Sequence, residues 1–300
     1  MKLFKKTLSI NFLNLSKYTS ITSACLFLCS LIIIIIYSLN LTIEFTGGTN
    51  FNLLVPNTNI IEFREQSQNL LEENIQVVEI NNNNLISNFL LRTKFIPDET
   101  VFIHQLQEIY PNMSVKGIDS FGPKLGNELQ KNARNAILLA LLFITIYITL
   151  RFDRYYALGS LIALMHDVII TLGILSLLNV EVGISVIAAL LTIVGYSLND
   201  TIVVYDRIRE NIYKLIDDSN ANIINRSLNE TLNRTIITSI TTLMVVIILF
   251  FFGGTVLKPF AITLIIGILI GTYSSIFIAS PVMLYFEEKY PIPEFKEEEE

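Results

Sequence analysis

Long uncharged runs separated by short charged connections organise most of this 300-residue chain. The first run, Tyr18 to Ile43, lies between Lys17 and Glu44 and is long enough to cross a bilayer. A cleaved signal peptide would have a shorter apolar core, and no small-x-small cleavage site follows Tyr37, so the run predicts an uncleaved membrane helix over about 18–39. Four further charge-poor segments fall at about 132–150, 156–178, 182–205 and 235–252, and a sixth span runs from about 260 to 286. Six transmembrane helices are therefore expected.

Between about residues 40 and 130 the pattern changes to that of a small α+β domain. Thr49 to Val55 alternates like a half-buried strand, and Asn59 to Glu73 has the apolar spacing of an amphipathic helix behind Pro56 and Asn57. A second strand over Ile75–Ile80, a turn at Asn81–Asn84 and a third strand over Leu85–Phe95 come next. A helix over Asp98–Tyr110 and a fourth strand over Met113–Ser120 complete the set. Strand, helix, strand, strand, helix, strand is the order of a ferredoxin-like split βαβ sandwich. The expected fold is a polytopic helical membrane protein with this domain inserted between helices 1 and 2, and the topology alone names no activity.

Composition agrees with a membrane protein, at 52% hydrophobic and 16% charged residues. The net charge of -6 is concentrated in the tail Glu297–Glu300, and no basic nucleic-acid face is visible. Cys25 and Cys29 lie one helical turn apart in the first span, which suits neither a disulfide framework nor a multi-ligand metal site. Neither a cofactor motif nor a Walker-type glycine loop occurs, so a primary ATPase is not expected. Most Lys and Arg fall in the N terminus 1–17, the connections 151–155 and 206–234, or the tail 287–300, against Lys258 alone in the opposite short loops. The positive-inside rule then puts both termini in the cytoplasm and the 40–130 domain outside, with Lys131 and Arg134 running against the trend.

Candidate chemistry lies within the spans. Asp200 sits in the fourth, roughly 9 Å along the helix from the charged end that Asp206 begins. An ionised carboxylate there costs at least a few kcal/mol, so it needs a partner, a wet cavity or a proton that comes and goes. Ala188, Thr192, Tyr196 and Asp200 recur at four-residue spacing and are expected to point into the bundle, with Asn199 and Thr201 supporting them. Thr235, Ser239 and Thr242 share a face of the fifth span, whose cytoplasmic entrance holds Arg234, and Asp200 with Arg234 is the expected pair. Either this is a titrating site or it is a static ion pair that fixes bundle register.

The third span carries His166 and Asp167, an adjacent pair that can relay a proton or simply bond neighbouring helices. Asp206, Arg207, Arg209 and Glu210 read as anchoring charges at the cytoplasmic face, and His104 as a surface or half-buried histidine. Gly267, Gly271, Ser275 and Ala279 form a small-residue stripe in the sixth span that lets another helix approach, inside this chain or in a partner. Gly47-Gly48 is compatible with a plain turn.

Taken together, Phe45-Thr46-Gly47-Gly48-Thr49, Ala163 to Leu178, Gly195 to Asn211, Asn233 to Met244 and Phe252-Gly253-Gly254 resemble the SecD/SecF family of bacterial protein-export membrane proteins, on its smaller-subunit side. The six spans with a large loop after the first are also similar to half a transporter of the resistance-nodulation-division type. The resemblance implies a non-enzymatic inner-membrane subunit that works with SecD. It would draw an unfolded preprotein out of the SecYEG channel with the proton motive force, after the ATP-driven step. It also implies that Asp200 is a proton-pathway carboxylate, that Arg234 is the cation modulating it, and that Asp167 is a further member of the pathway. Two positions depart from the family pattern: Glu44 after Ile43 stands where Asp after Gly is usual, and Ile240 where a glycine is usual. Two other classes stay open, a passive assembly subunit and an intramembrane aspartyl hydrolase built on Asp167 and Asp200. Against the hydrolase stands the expectation that Asp167 lies near mid-membrane and Asp200 close to the inner face.

Overall fold

A computed structural model describes residues 9–71, 75–83, 86–215 and 218–290. Lys2, Lys5, Lys6, the turn position Asn84 and the acidic tail from 291 lie outside the described residues. The chain divides into two compact units, one formed by 1–40 and 136–300, the other by 41–135.

In the second unit, a short helix α2 (Ile43–Thr46) leads into β1 (Gly48–Pro56), α3 (Ile60–Leu71), β2 (Gln76–Asn83), β3 (Ile86–Thr93), α4 (Glu99–Ile109) and β4 (Ser114–Phe121). The strands form one sheet in the order β2-β3-β1-β4, with every neighbouring pair antiparallel. Alternation places Phe51, Leu53 and Val55 of β1 and Phe89 and Leu91 of β3 on one face, where they are fully buried. Both helices cover that face, with Phe63 of α3 stacked on Phe89 at 4.6 Å and Phe102 of α4 against Phe51 at 5.1 Å. Asp98 caps α4 by accepting from the Thr100 amide, and the Thr100 hydrogen bonds hold its carboxyl below the usual range. The expected turn at Asn81–Asn84 is corrected in part, because Asn81–Asn83 continue β2 and pair with β3. His104 is exposed.

Gly47 and Gly48 are more than a turn. Both have positive φ, +75° and +150°, and a Cβ on Gly48 would lie 2.6 Å from the Thr93 carbonyl oxygen. They follow the buried Phe45, whose carbonyl accepts from Gln130 Nε2 at 3.0 Å. The same carbonyl would lie 2.7 Å from a Cβ on Gly126, so a glycine there lets the start of the next helix approach closely.

The first unit is helical. Its elements are α1 (Phe12–Tyr37), the latter part of α5 (Pro123–Arg151), α6 (Arg154–Leu177), α7 (Ile184–Lys214) and α8 (Asn220–Phe252). They are followed by α9 (Gly254–Ser274), a π-helical turn Ser275–Ala279 and α10 (Ser280–Lys289). Among the described residues six helical stretches are long and apolar enough to cross a membrane, the last running through α9, the π turn and α10. Their burial is uneven: 61% of the most apolar window of α6, 50% of α7 and 56% of the last stretch is buried, against 11%, 6% and 17% for α1, α5 and α8. The core therefore sits among α6, α7 and α9, and the apolar outer faces of α1, α5 and α8 are left for lipid or other chains.

Apolarity located the spans but not the helices. α5 begins at Pro123, the favoured first helical residue, well before 132. α7 continues to Lys214, and α8 starts at Asn220, capped by Ser219. The expected long connection 206–234 is thus mostly helix, and Arg234 lies well inside α8. The polar half of α8 holds the entrance of α1, because Asn225 Oδ1 accepts from the Phe12 amide at 2.7 Å and Asn229 bonds both the amide and the carbonyl of Ile10.

Candidate functional site

Asp200 is 2% exposed on the inner side of α7, and its Oδ2 has no hydrogen-bond partner within the chain. On α8, Thr238 donates to the Arg234 and Thr235 carbonyls at 3.1 and 2.9 Å. Among the described residues no ion pair within 4.0 Å joins Asp200 to Arg234, which is itself exposed, so the expected pair is not in contact. Thr238 carries no expectation from the sequence, although its position one turn after Arg234 was a usable signal.

Asp167 is more completely enclosed. It is 0% exposed, and three side chains converge on it: His166 Nδ1 lies 3.0 Å from Oδ1, while Ser197 and Ser274 hydroxyls donate to Oδ2 at 2.6 and 2.7 Å. Those serines belong to α7 and α9, so one carboxylate ties together the three core helices. Gly271 makes the approach possible, because a Cβ there would lie 3.0 Å from Ser197 Cβ and 3.5 Å from Asp167 Oδ2. Ser197 and Ser274 were not expected from sequence, though Ser197 stands three residues before Asp200 on the same helix.

That connection sets the separation of the two aspartates along α7. Ser197 reaches Asp167 and lies only about 4.5 Å along the axis from Asp200, so the carboxylates are roughly one turn apart. The side chains that meet Asp167 are His166, Ser197 and Ser274.

The polar face of α7 is also rotated from its expected direction. Ala188, Thr192 and Asn199 are exposed and Tyr196 is half-buried, whereas Ala189, Ile193, Ser197, Asp200 and Thr201 point inward. Tyr196 still reaches Thr242 of α8 at 3.4 Å, and Thr201 donates to the Ser197 carbonyl at 3.1 Å. On α8, Thr235 is buried and Ser239 bonds Thr272 of α9 at 2.7 Å. Asn199 is removed from the supporting set. The stripe in the last span faces this chain, with Gly267 against Ile193 of α7 and Gly271 against Ser197. Among the described residues no group of three or more His, Cys, Asp or Glu could hold a metal ion.

Beyond the apolar part of α7, the charges do more than anchor. Arg207 bonds Glu230 of α8 at 2.6 Å and Glu210 at 2.5 Å, and Glu230 also accepts from buried Asn211 at 2.9 Å and from Arg226 at 3.1 Å. Glu230→Ala removes the acceptor shared by these groups and is expected to destabilise the bundle by about 1–3 kcal/mol. Thermal unfolding in detergent reads this as a lowered Tm, and an unchanged Tm would show the network to be a solvated surface feature.

A helical bundle with six apolar stretches long enough to span a bilayer among the described residues, and with two enclosed carboxylates in its core, defines a polytopic helical membrane protein. Residues 101–289 match the model of the family described as protein export membrane protein SecD/SecF, C-terminal. The chain is 43% identical over 288 residues to "Protein translocase subunit SecF" of Calditerrivibrio nitroreducens, covering 93% of this chain and 95% of the relative. It is 42% identical to the protein of the same description from Desulfurispirillum indicum, covering 97% and 96%. Among solved structures it is similar to SecDF from Thermus, a translocon-associated membrane protein, with TM-score 0.83 and 35% identity, and to SecDF in a super-membrane-facing form, with TM-score 0.72 and 35% identity. It covers 95% and 96% of itself in these two matches but only 40% of each SecDF chain. The chain belongs to the SecD/SecF family of protein-export membrane proteins.

Proposed function

We propose that this chain works with SecD in the bacterial inner membrane and uses the proton motive force to draw preprotein onward from the SecYEG channel. The observation that carries the reading is Asp200, 2% exposed, outside any contact ion pair and with one oxygen unpartnered. An ionised carboxylate at membrane depth costs about 2.5–3.5 kcal/mol on insertion scales, and proton uptake removes that cost. Arg234 of α8 is exposed and makes no contact ion pair with Asp200, so no fixed partner locks the charge in place. Burial without a contact partner suits a group that loads and unloads a proton, whereas a tight ion pair suits a fixed strut.

The strand order β2-β3-β1-β4 supports reading the 41–135 unit as a ferredoxin-like domain. The distribution of Lys and Arg supports placing it in the periplasm with both termini in the cytoplasm. There it would hold an emerging, unfolded chain while the helices respond to protonation. Asp167 and the hydroxyls of Thr201, Thr235, Ser239 and Thr242 form the polar interior through which the response spreads.

Preprotein translocation into vesicles containing this chain with SecD and SecYEG tests the reading. With the gradient imposed, wild type is expected to complete translocation faster than with the gradient collapsed, and Asp200→Asn to show only the collapsed-gradient rate. Equal stimulation of a well-assembled Asp200→Asn complex would leave this chain a passive assembly subunit.

A further inference from the structure

The proton-driven reading places Asp167 in the polar interior without saying what its own charge does. We infer that Asp167 is a second protonation site, loaded through His166, whose charge state sets how tightly α9 and α7 are clasped beside Asp200. The inference rests on the proposed proton-driven function and deepens it by assigning a positioning residue.

Four observations carry it. First, Asp167 Oδ2 accepts hydroxyls from two different helices, Ser197 of α7 and Ser274 of α9, so its charge bears directly on their separation. Second, His166 bonds Oδ1 through Nδ1, while its Nε2 is buried and has no partner within the chain. Third, Ser274 is the last residue of α9 before the π-helical turn Ser275–Ala279, a departure from α geometry of the kind that concentrates at functional sites. Fourth, Ser197 is three residues from Asp200, and the next residue, Thr201, donates to the Ser197 carbonyl. Of the groups around the carboxylate, the titratable one bonded to it is His166 of its own helix, while α7 and α9 meet it with serines. Tyr273 of α9 lies over the His166 ring at 6.4 Å, its hydroxyl turned to Ser23 and the Thr19 carbonyl of α1, and Asp200 is the next acid along α7.

The proton balance is simple. With the ring proton on Nδ1, that proton is donated to Asp167 Oδ1. A proton arriving from water at Nε2 lets the Nδ1 proton pass to Oδ1. The result is a neutral imidazole of the other tautomer and a neutral carboxylic acid that donates back to Nδ1, with one proton gained overall. Oδ2 then becomes the carbonyl oxygen of an uncharged acid. Its bonds to Ser197 and Ser274 lose their charge assistance, which is about half their strength. Ser274 already shares its proton with the Gly271 carbonyl at 3.1 Å, so α9 has a local acceptor to fall back on when the clasp loosens.

Infrared difference spectroscopy between acid and alkaline buffer, on the full-length chain reconstituted with its partner, tests this. A carbonyl band of a protonated carboxylic acid is expected that persists in Asp200→Asn and is lost in Asp167→Asn. In Ser197→Ala and Ser274→Ala the band should remain and move to higher frequency, because its carbonyl accepts one hydrogen bond fewer; these variants keep the test open if Asp167→Asn fails to fold. His166→Gln should slow the appearance of the band after a rapid acid jump. Ser274→Ala should also lower gradient-stimulated export about tenfold, the effect of one lost bond to a charged group. The absence of an Asp167-dependent band, a band unmoved by both serine variants, or an unchanged loading rate in His166→Gln would overturn the inference. Failure of the underlying reading looks different, as undiminished gradient stimulation in Asp200→Asn with the Asp167 band still present.

Discussion

Gly267→Leu is expected to prevent stable assembly of the helical bundle. A single Cβ at this position would lie 2.1 Å from Ile193 Cδ1, 2.4 Å from Cγ1 and 2.8 Å from Cγ2, before any further atoms of leucine are added. The Cδ1 end of Ile193 can swing aside, but Cγ2 is fixed near the backbone of α7, so α7 and α9 have to separate. Overpacking of a close-packed interior costs about 1–3 kcal/mol, and this site is more crowded than most. Separation also draws Ser197 and Ser274 apart around Asp167, whose carboxylate bonds both helices. The measurement is Tm in detergent together with recovery of folded chain; a variant that melts with wild type would show that the glycine stripe does not set the α7–α9 distance. Gly271→Leu is expected to act in the same direction, through the 3.0 Å approach to Ser197.

Asp200→Asn should separate function from stability in the opposite way. The amide is nearly isosteric and carries no charge, so the cost of holding an ionised group at this depth disappears. Because no contact ion pair is broken, no other charge is left buried and uncompensated, the event that makes loss of a paired carboxylate cost 3–5 kcal/mol. The variant is therefore expected to melt at or above the wild-type temperature while losing gradient-stimulated export. A marked fall in Tm would identify Asp200 as a structural strut.

Much of this architecture was legible in the chain, and the failures have physical reasons. Uncharged runs mark where a helix can lie in hydrocarbon, and each expected span falls on one of the long apolar helical stretches. The same criterion cannot see the polar extensions of α5, α7 and α8, because a helix does not end where its side chains become polar. The inward face of α7 was misplaced for a related reason. Thr192 donates to the Ala188 carbonyl at 2.8 Å, and on α8 Thr241 donates to the Ile237 carbonyl at 2.9 Å, so such hydroxyls satisfy themselves on their own helix and can face outward. A threonine in a membrane helix is thus a poor indicator of direction.

Aspartates are better indicators, since no local backbone carbonyl satisfies a carboxylate, and both Asp167 and Asp200 proved to be buried. What the sequence could not supply is the relative register of the core helices, which sets Ser197 and Ser274 on Asp167 and leaves Arg234 short of contact with Asp200. Register depends on side-chain fit between segments distant in the chain. Gly271 and Gly267 hinted at it without naming the helix they admit.

The most direct test of the central claim is proton movement itself. Vesicles holding the full-length chain with SecD and SecYEG, loaded with a pH-sensitive dye, are followed as a preprotein is driven through the channel. The account predicts a preprotein-dependent pH change in wild type that is absent in Asp200→Asn at equal amounts of assembled complex. A pH change of equal size in the two would contradict it and place the proton path away from Asp200.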